Sequence, residues 1–551
     1  MKKHATGTAA LGVALLAIFA LVLSGSRQSV DDDFFALRKN FEIFGSLYEN
    51  LAVSYVDPVD PERLMRRGIS AMLEELDPYT VFIDESDYLN ANIQRARGLG
   101  TVGLDLDYRD DRLTVLSPID GGAAFRQGIR VGDAIDSVAG RPTSELTRGD
   151  VLELLSGDPG TVVDVVISRP GEDASREFSL TREVIRTDPV TYAGFVPDDR
   201  NGGIAYLHLA NFNPGSDDRV RGTLRELNRE NRLSAVVLDL RDNQGGLLEA
   251  AVSIVQLFVP EGSTVVTVRG RRPEDVREYR TMREPAYPDV QLFVLINRRS
   301  ASASEIVAGA IQDLDRGVVI GETSFGKGLA QVVRELPFNT GIKVTTSKFY
   351  APSGRNVQAI NYRMHGERLP DSLRVTFTTV AGRTVRGGGG IEPDIVVASH
   401  EPGPLESALL QDGAFFRYAG ELARTIGNPP AIPEPSELDV PAFQAWLDGR
   451  EFDYEMPADR LLRDLRADVG SATDAAGALE VLDRVVTERK RGAFEIEEGA
   501  LQQRLFYALT DRVAAETSTL YRARLPHDTD IAEVRRLVAD RSRYDSILSA
   551  R

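Results

Sequence analysis

Val236-Val237-Leu238-Asp239-Leu240, Leu292 to Ile296 and Val318-Val319-Ile320 are short, nearly continuous apolar runs. Strands apolar on both faces belong inside a parallel sheet. Parallel neighbours require crossover connections, and helical segments at about Leu248–Phe258 and Glu305–Gln312 supply them. With the alternating run Ile204 to Leu209 ahead of these, residues 186–400 read as an α/β core with a parallel-type sheet.

The rest of the 551-residue chain is arranged around that core. At about 150 residues per domain, three or four domains are expected. Residues 97–185 change character: short alternating runs such as Leu104-Asp105-Leu106-Asp107 and Val162 to Ile167 are separated by glycine-rich turns. One helix fits Leu146 to Leu155, so this is a small β-rich insert. Residues 31–96 read as helical, with Phe34, Phe35, Leu37, Phe41, Phe44, Leu47 and Leu51 at helical spacing. A second helix fits Pro61 to Glu75 and is broken at Leu76-Asp77-Pro78-Tyr79. Residues 401–551 read as a charged helical region with a linker at Pro429-Pro430 and Pro433-Glu434-Pro435. Amphipathic helices are expected near 457–468, 475–491 and 498–523. No chemistry-bearing motif lies there, which suits a packing or assembly role.

Residues 1–26 carry Lys2 and Lys3, an apolar run from Ala9 to Leu23, and Ser24-Gly25-Ser26. This layout predicts a cleaved signal peptide or an uncleaved anchor. Either exports the chain, to the periplasm or the outer face of the inner membrane, with membrane contact only through this segment. A net charge of -18 argues against nucleic acid as a partner. The chain has no cysteine, and its histidines, His4, His208, His365, His400 and His527, form no ligand-spaced pair. No metal and no cofactor is therefore expected.

Chemistry concentrates at three places. Ser300-Ala301-Ser302-Ala303-Ser304-Glu305 follows a buried strand and opens a helix. There, unpaired N–H groups and the helix dipole favour developing negative charge. A plain Ser-x-x-Glu cap is the competing reading. The next strand runs into Glu322-Thr323-Ser324-Phe325-Gly326-Lys327-Gly328. The strand–helix–strand unit brings Lys327 back towards Ser302. Lysine serves as a base only when neutral, which burial promotes, and Phe325 with its small neighbours is expected to wall the site. A surface turn lysine is the alternative. Gln331, four residues on, could orient the amine from a helical or turn-like path, or be merely exposed. Last, Leu240-Arg241-Asp242-Asn243-Gln244-Gly245-Gly246-Leu247 ends a strand with glycines whose N–H groups can face a cleft. Ala303 N–H is the natural second donor of an oxyanion hole. The alternative is a tight strand-to-helix turn.

At these residues the sequence resembles the carboxy-terminal processing peptidases, the tail-specific serine proteases of peptidase family S41. The resemblance rests on Leu76-Asp77-Pro78-Tyr79, Leu238 to Arg241 with Gly245-Gly246, and Ser300 to Glu305. It continues through Phe325 to Gly328 with Gln331, Pro352-Ser353-Gly354-Arg355, and Gly390-Ile391-Glu392-Pro393-Asp394, all in family order over roughly 35–400. It implies a Ser302–Lys327 dyad completed by Gln331, with oxyanion donors at Gly246 and Ala303. It implies that the insert is a PDZ domain whose carboxylate-binding loop is Thr101-Val102-Gly103-Leu104. Protein or peptide substrates with apolar C-terminal tails follow, along with an adaptor or activator and a homo-oligomer as candidate partners. Ser156-Gly157 stands where the family often has Arg-Gly. A PDZ scaffold with a silent hydrolase is the rival function.

Overall fold

The computed structural model describes residues 35–85, 98–185, 188–197, 203–362, 366–426, 432–469, 473–514 and 516–549. The leader 1–26, Phe34, Pro429-Pro430, His4 and His365 lie outside them. The described residues form two units, 35–83 with 342–344, and the remainder.

In the first unit, residues 35–54 are helical and a second helix spans Pro61–Glu74. Proline at its first position fits a site whose N–H would be unpaired anyway. Asp60 caps it, accepting from the N–H of Glu62 at 3.0 Å and Arg63 at 3.2 Å. Beyond it, Asp77 accepts from the N–H of Tyr79 and of Thr80, both at 2.9 Å, and this turn is the predicted break.

The second unit holds the β-rich insert, the α/β core and the C-terminal helices. The sheet of the insert is antiparallel, in the order Leu104–Arg109, Arg112–Pro118, Ala134–Val138, Val162–Ser168, Arg176–Thr181. Val163, Val165 and Ile167 face its core, while Val162 and Asp164 face out. The helix starts at Arg148, two residues later than expected. Thr147 caps it reciprocally with Asp150, the two bonds being 2.8 and 3.2 Å.

The core sheet has six strands: β1 Val190–Phe195, β2 Ile204–Leu209, β3 Ala235–Asp239, β4 Gln291–Ile296, β5 Val318–Gly321 and β6 Ile395–Val396. Their spatial order is β6-β5-β4-β3-β2-β1. All neighbours are parallel except β1 and β2. One face is covered by α1 Ser216–Glu230, α2 Leu248–Val255 and α3 Ala303–Asp313, which bury Leu207, Val236, Leu238, Leu292 and Val294.

The other face is covered from the far end of the chain. Tyr206, Val237, Phe293, Leu295 and Ile320 pack against Leu525, Ile531, Val534, Leu537 and Tyr544. The last four of these partners lie on Thr529–Ala539 and Arg541–Leu548. The Tyr544 hydroxyl accepts the N–H of Leu292 at 3.0 Å. Residue 400 therefore marks a change of composition and not the edge of the hydrophobic core. The intervening helices, among them Ala414–Thr425 and Glu498–Val513, pack around Phe415, Phe443, Leu505 and Leu509. The predicted helix 498–523 is two helices, Glu498–Val513 and Thr517–Arg524, because Ala514 is extended. Among the described residues no helix is long and apolar enough to cross a membrane.

Candidate active site

Strand β4 ends in a turn closed by Ser300, whose hydroxyl donates to the Leu240 carbonyl at 2.8 Å and accepts the Asn297 N–H at 2.9 Å. Two residues later Ser302, half-buried, is the N-cap of α3 with φ 58° and ψ -114°. Such a backbone costs a non-glycine residue about 1–3 kcal/mol and persists only where its surroundings enforce it. Its carbonyl accepts the N–H groups of Glu305 at 2.9 Å and Ile306 at 3.0 Å.

Glu305, on the first turn of α3, is fully buried and binds two loops at once. Its Oε2 accepts the N–H of Ser302 at 2.8 Å and the N–H of Lys327 at 2.9 Å. Its Oε1 accepts the Ser324 hydroxyl at 2.6 Å and the Gly326 N–H at 2.8 Å. Burial pushes the Glu305 carboxyl up, and these four donors pull it back. The sequence shows Glu305 as half of a capping pattern, and nothing in that pattern reveals that its second oxygen holds the next loop.

The loop from Glu322 to Gly328 is neither helix nor strand. The Phe325 N–H donates to the Ser300 carbonyl at 3.0 Å. Gly326 has φ 87°, and a Cβ there would stand 2.4 Å from that of Ala359. Lys327 is half-buried. Phe325 is 39% exposed, while its small neighbours Ser324 and Gly326 are buried. Gln331 lies on the strand Leu329–Leu336, not on a helical or turn-like path, and its Nε2 donates to Thr345 Oγ1 at 3.1 Å. Strand geometry removes the i, i+4 argument that tied it to Lys327.

The glycine turn comes in from the other side. Asn243 is fully buried; its Nδ2 donates to the Leu209 carbonyl at 2.7 Å and its Oδ1 accepts the Gly245 N–H at 2.8 Å. Its carbonyl accepts the Ala301 N–H at 3.0 Å and the Ser304 hydroxyl at 2.8 Å. A Cβ on Gly245 would meet both the Ser302 Cβ and the Ala303 N at 2.8 Å, so the turn packs directly on the serine. Gly246 bridges Phe212 in parallel fashion: Phe212 N–H donates to Gly245 O and Leu247 N–H to Phe212 O. That pattern turns the N–H of Gly246 itself away from Phe212. Ala303 is the first residue of α3, where N–H groups lack intrahelical partners.

Two other quoted motifs support the sheet rather than the serine. Arg355 and Asp313 form a fully buried ion pair at 2.7 Å. Asp394 accepts the N–H of Val319 at 2.9 Å, tying down β5.

In the β-rich insert, Thr101 N–H is bonded to the Glu183 carbonyl at 2.8 Å, so it is not available to a carboxylate. Val102 and Gly103 are buried, and their carbonyls accept from Ala124 at 3.1 Å and Ile119 at 2.9 Å. Leu104 begins the strand at the edge of the sheet. Among the described residues no group of three or more His, Asp or Glu is placed to hold a metal.

Three family models match successive parts of the chain. Residues 203–365 match the model of peptidase family S41, residues 114–169 a PDZ domain, and residues 405–538 the C-terminal helical domain of a probable PDZ-protease. A carboxy-terminal-processing protease of Bartonella bacilliformis is 32% identical over 355 residues, which is 63% of this chain and 80% of that protein. The carboxyl-terminal-processing protease of a Synechocystis species is 34% identical over 297 residues, covering 53% and 68% of the two chains. A solved photosystem II D1 C-terminal processing protease is 28% identical, covering 64% and 86%, with a TM-score of 0.38.

Proposed function

We propose, given that this chain belongs to peptidase family S41 and within it to the carboxyl-terminal-processing proteases, that Ser302 and Lys327 form its catalytic dyad. What supports the pairing is one atom: a single carboxylate oxygen of Glu305 accepts both the Ser302 N–H and the Lys327 N–H. The two loops share a hub, and a four-methylene side chain bridges the remaining gap.

The reaction needs the Lys327 amine neutral, far below the usual lysine pKa of about 10.4, and substrate burying the half-open site drives it there. Lys327 Nζ takes the Ser302 hydroxyl proton as Oγ adds to the peptide carbonyl. The oxyanion is met by the N–H groups of Ala303 and Gly246. The ammonium returns its proton to the leaving amine, leaving an ester on Ser302. Water, deprotonated by the same amine, hydrolyses that ester, and Ser302 regains its proton. Gln331, with its Nε2 on Thr345, offers its amide oxygen to orient the amine.

The substrate is a protein chain with an apolar C-terminal tail. The tail adds to the edge strand Leu104–Arg109, and the N–H groups of Val102, Gly103 and Leu104 receive its carboxylate. Residues 1–26 export the protein to the periplasm or the outer face of the inner membrane, where an adaptor and a second copy of the chain are the expected partners.

Ser302→Ala and Lys327→Ala should each lower cleavage of an unfolded protein with an apolar tail by at least a thousandfold. Full activity in either variant refutes the dyad.

A further inference from the structure

Arg241 is two residues beyond the end of β3, and its guanidinium faces three carboxylates. Nη2 lies 2.6 Å from Asp239 and 2.8 Å from Asp528, and Nη1 lies 2.7 Å from Asp530. Asp239 ends its own strand, and Tyr206 donates its hydroxyl to it at 2.6 Å. Asp528 and Asp530 come from the opposite end of the chain. Asp528 is also the N-cap of Thr529–Ala539, accepting the N–H of Asp530 at 2.9 Å and of Ile531 at 3.2 Å.

One guanidinium neutralises one carboxylate. Three around it leave surplus negative charge in a mostly buried place, and burial raises the Asp530 carboxyl to about 6. Such a cluster is a poor device for stability alone. Its location suggests another use. The residue after Arg241 is Asp242, held at φ 61°, and the turn continues through Asn243 to Gly245 and Gly246 against Ser302. Asn243 anchors the middle of that turn from inside the core, and Arg241 anchors its start from the C-terminal helices.

We infer that Asp528 and Asp530 are positioning residues for peptide cleavage: by gripping Arg241 they fix the turn that carries the Gly246 donor. The last helices of the chain thereby set the competence of a serine more than two hundred residues earlier. This rests on the oxyanion role given to Gly246 above.

The test uses the full chain carrying Asp528→Asn, Asp530→Asn, or both. Asparagine keeps the size of aspartate and still caps a helix, so the fold is spared. The readouts are kcat and KM on a peptide with an apolar C-terminus, the rate at which a fluorophosphonate labels Ser302, and Tm. The double variant should lose at least tenfold in kcat and in labelling rate, with KM changed less than twofold. Asp530→Glu, which keeps the charge, should recover part of the rate. Val534→Ala, on the same helix but buried against the sheet, should lower Tm and leave kcat unchanged below the melting transition. The inference is overturned by a double variant that runs and labels at the normal rate, or whose loss only follows its unfolded fraction. Full activity of Ser302→Ala would instead remove the peptidase reading and this inference with it. A dead Ser302→Ala beside fully active aspartate variants removes the inference alone.

Discussion

The two faces of the core sheet are closed by different parts of the chain. Helices α1 to α3 alternate with the strands they cover, so each strand is delivered with its own lid. The opposite face waits for residues 525–544. A parallel sheet exposed on one side is not viable, because its strands are apolar on both. The first face is local and modular; the second makes the protease core depend on residues more than a hundred positions beyond its last strand.

The sharpest way to break that contrast is to end the chain at Pro402. If the C-terminal region were an appendage, the remainder would fold. If it completes the core, Tyr206, Val237, Phe293, Leu295 and Ile320 are exposed. At about 1.5–3 kcal/mol per large apolar side chain, the loss is roughly 10 kcal/mol. That equals the whole stability of an ordinary domain, about 5–15 kcal/mol. The truncated chain should be degraded or insoluble, and limited proteolysis would find no protected fragment spanning 186–400. A soluble, protease-resistant fragment would return residues 401–551 to the status of an accessory domain.

The same contrast shows what was legible beforehand. The strands at 236–240, 292–296 and 318–320 were readable because a run apolar on both faces has few other uses, and the strand at 204–209 was readable from its alternation. Their second cover was not readable. The helices after 498 announce by their period that one side is buried, and say nothing of what it is buried against. The site divides in the same way. Ser302, Lys327 and the Gly245-Gly246 turn stand out because each follows a strand and carries a reactive side chain or a glycine, the serine and the glycines also opening a helix. Glu305 was visible only as a cap, since a capping pattern uses one carboxylate oxygen and is silent about the other. The path through Gln331 was misread because spacing by four was weighed as helix or turn where the chain is a strand. Thr101 was included in the carboxylate loop because a sequence cannot show that its N–H is already spent on Glu183.

A smaller effect tests how firmly the second cover is attached. Tyr544 supplies the acceptor for the buried N–H of Leu292 on β4. Tyr544→Phe keeps the ring and removes that oxygen, leaving a buried donor unpaired at a cost of about 1–3 kcal/mol. The guanidinium midpoint should fall with no change in the steepness of the transition. An unchanged midpoint would mean that the helix Arg541–Leu548 is loosely held in solution and that the second face is open part of the time.

An effect of similar size, but confined to one range of pH, concerns Asp530, where the second cover meets the first residues of the glycine turn. Its carboxyl is raised to about 6 by burial and by the neighbouring Asp528 and Asp239, with Arg241 opposing them. The ordinary value is 3.8. A carboxyl whose pKa is higher in the folded state binds its proton more tightly there. Its contribution to stability is therefore fully present below pH 3.8 and is lost as the pH rises through 6. Above that point the charged form weighs against folding by about 2–3 kcal/mol. Other groups also titrate over this range, so the useful quantity is the difference in stability between Asp530→Asn and the parent chain. Asparagine does not titrate. The variant should gain on the parent between pH 4 and 7 and hold that gain above 7, even while its kcat is reduced. A difference that stays flat across this range would mean that Asp530 is well solvated. The surplus charge would then carry no cost, and the argument that the cluster serves geometry at the expense of stability would lose its footing.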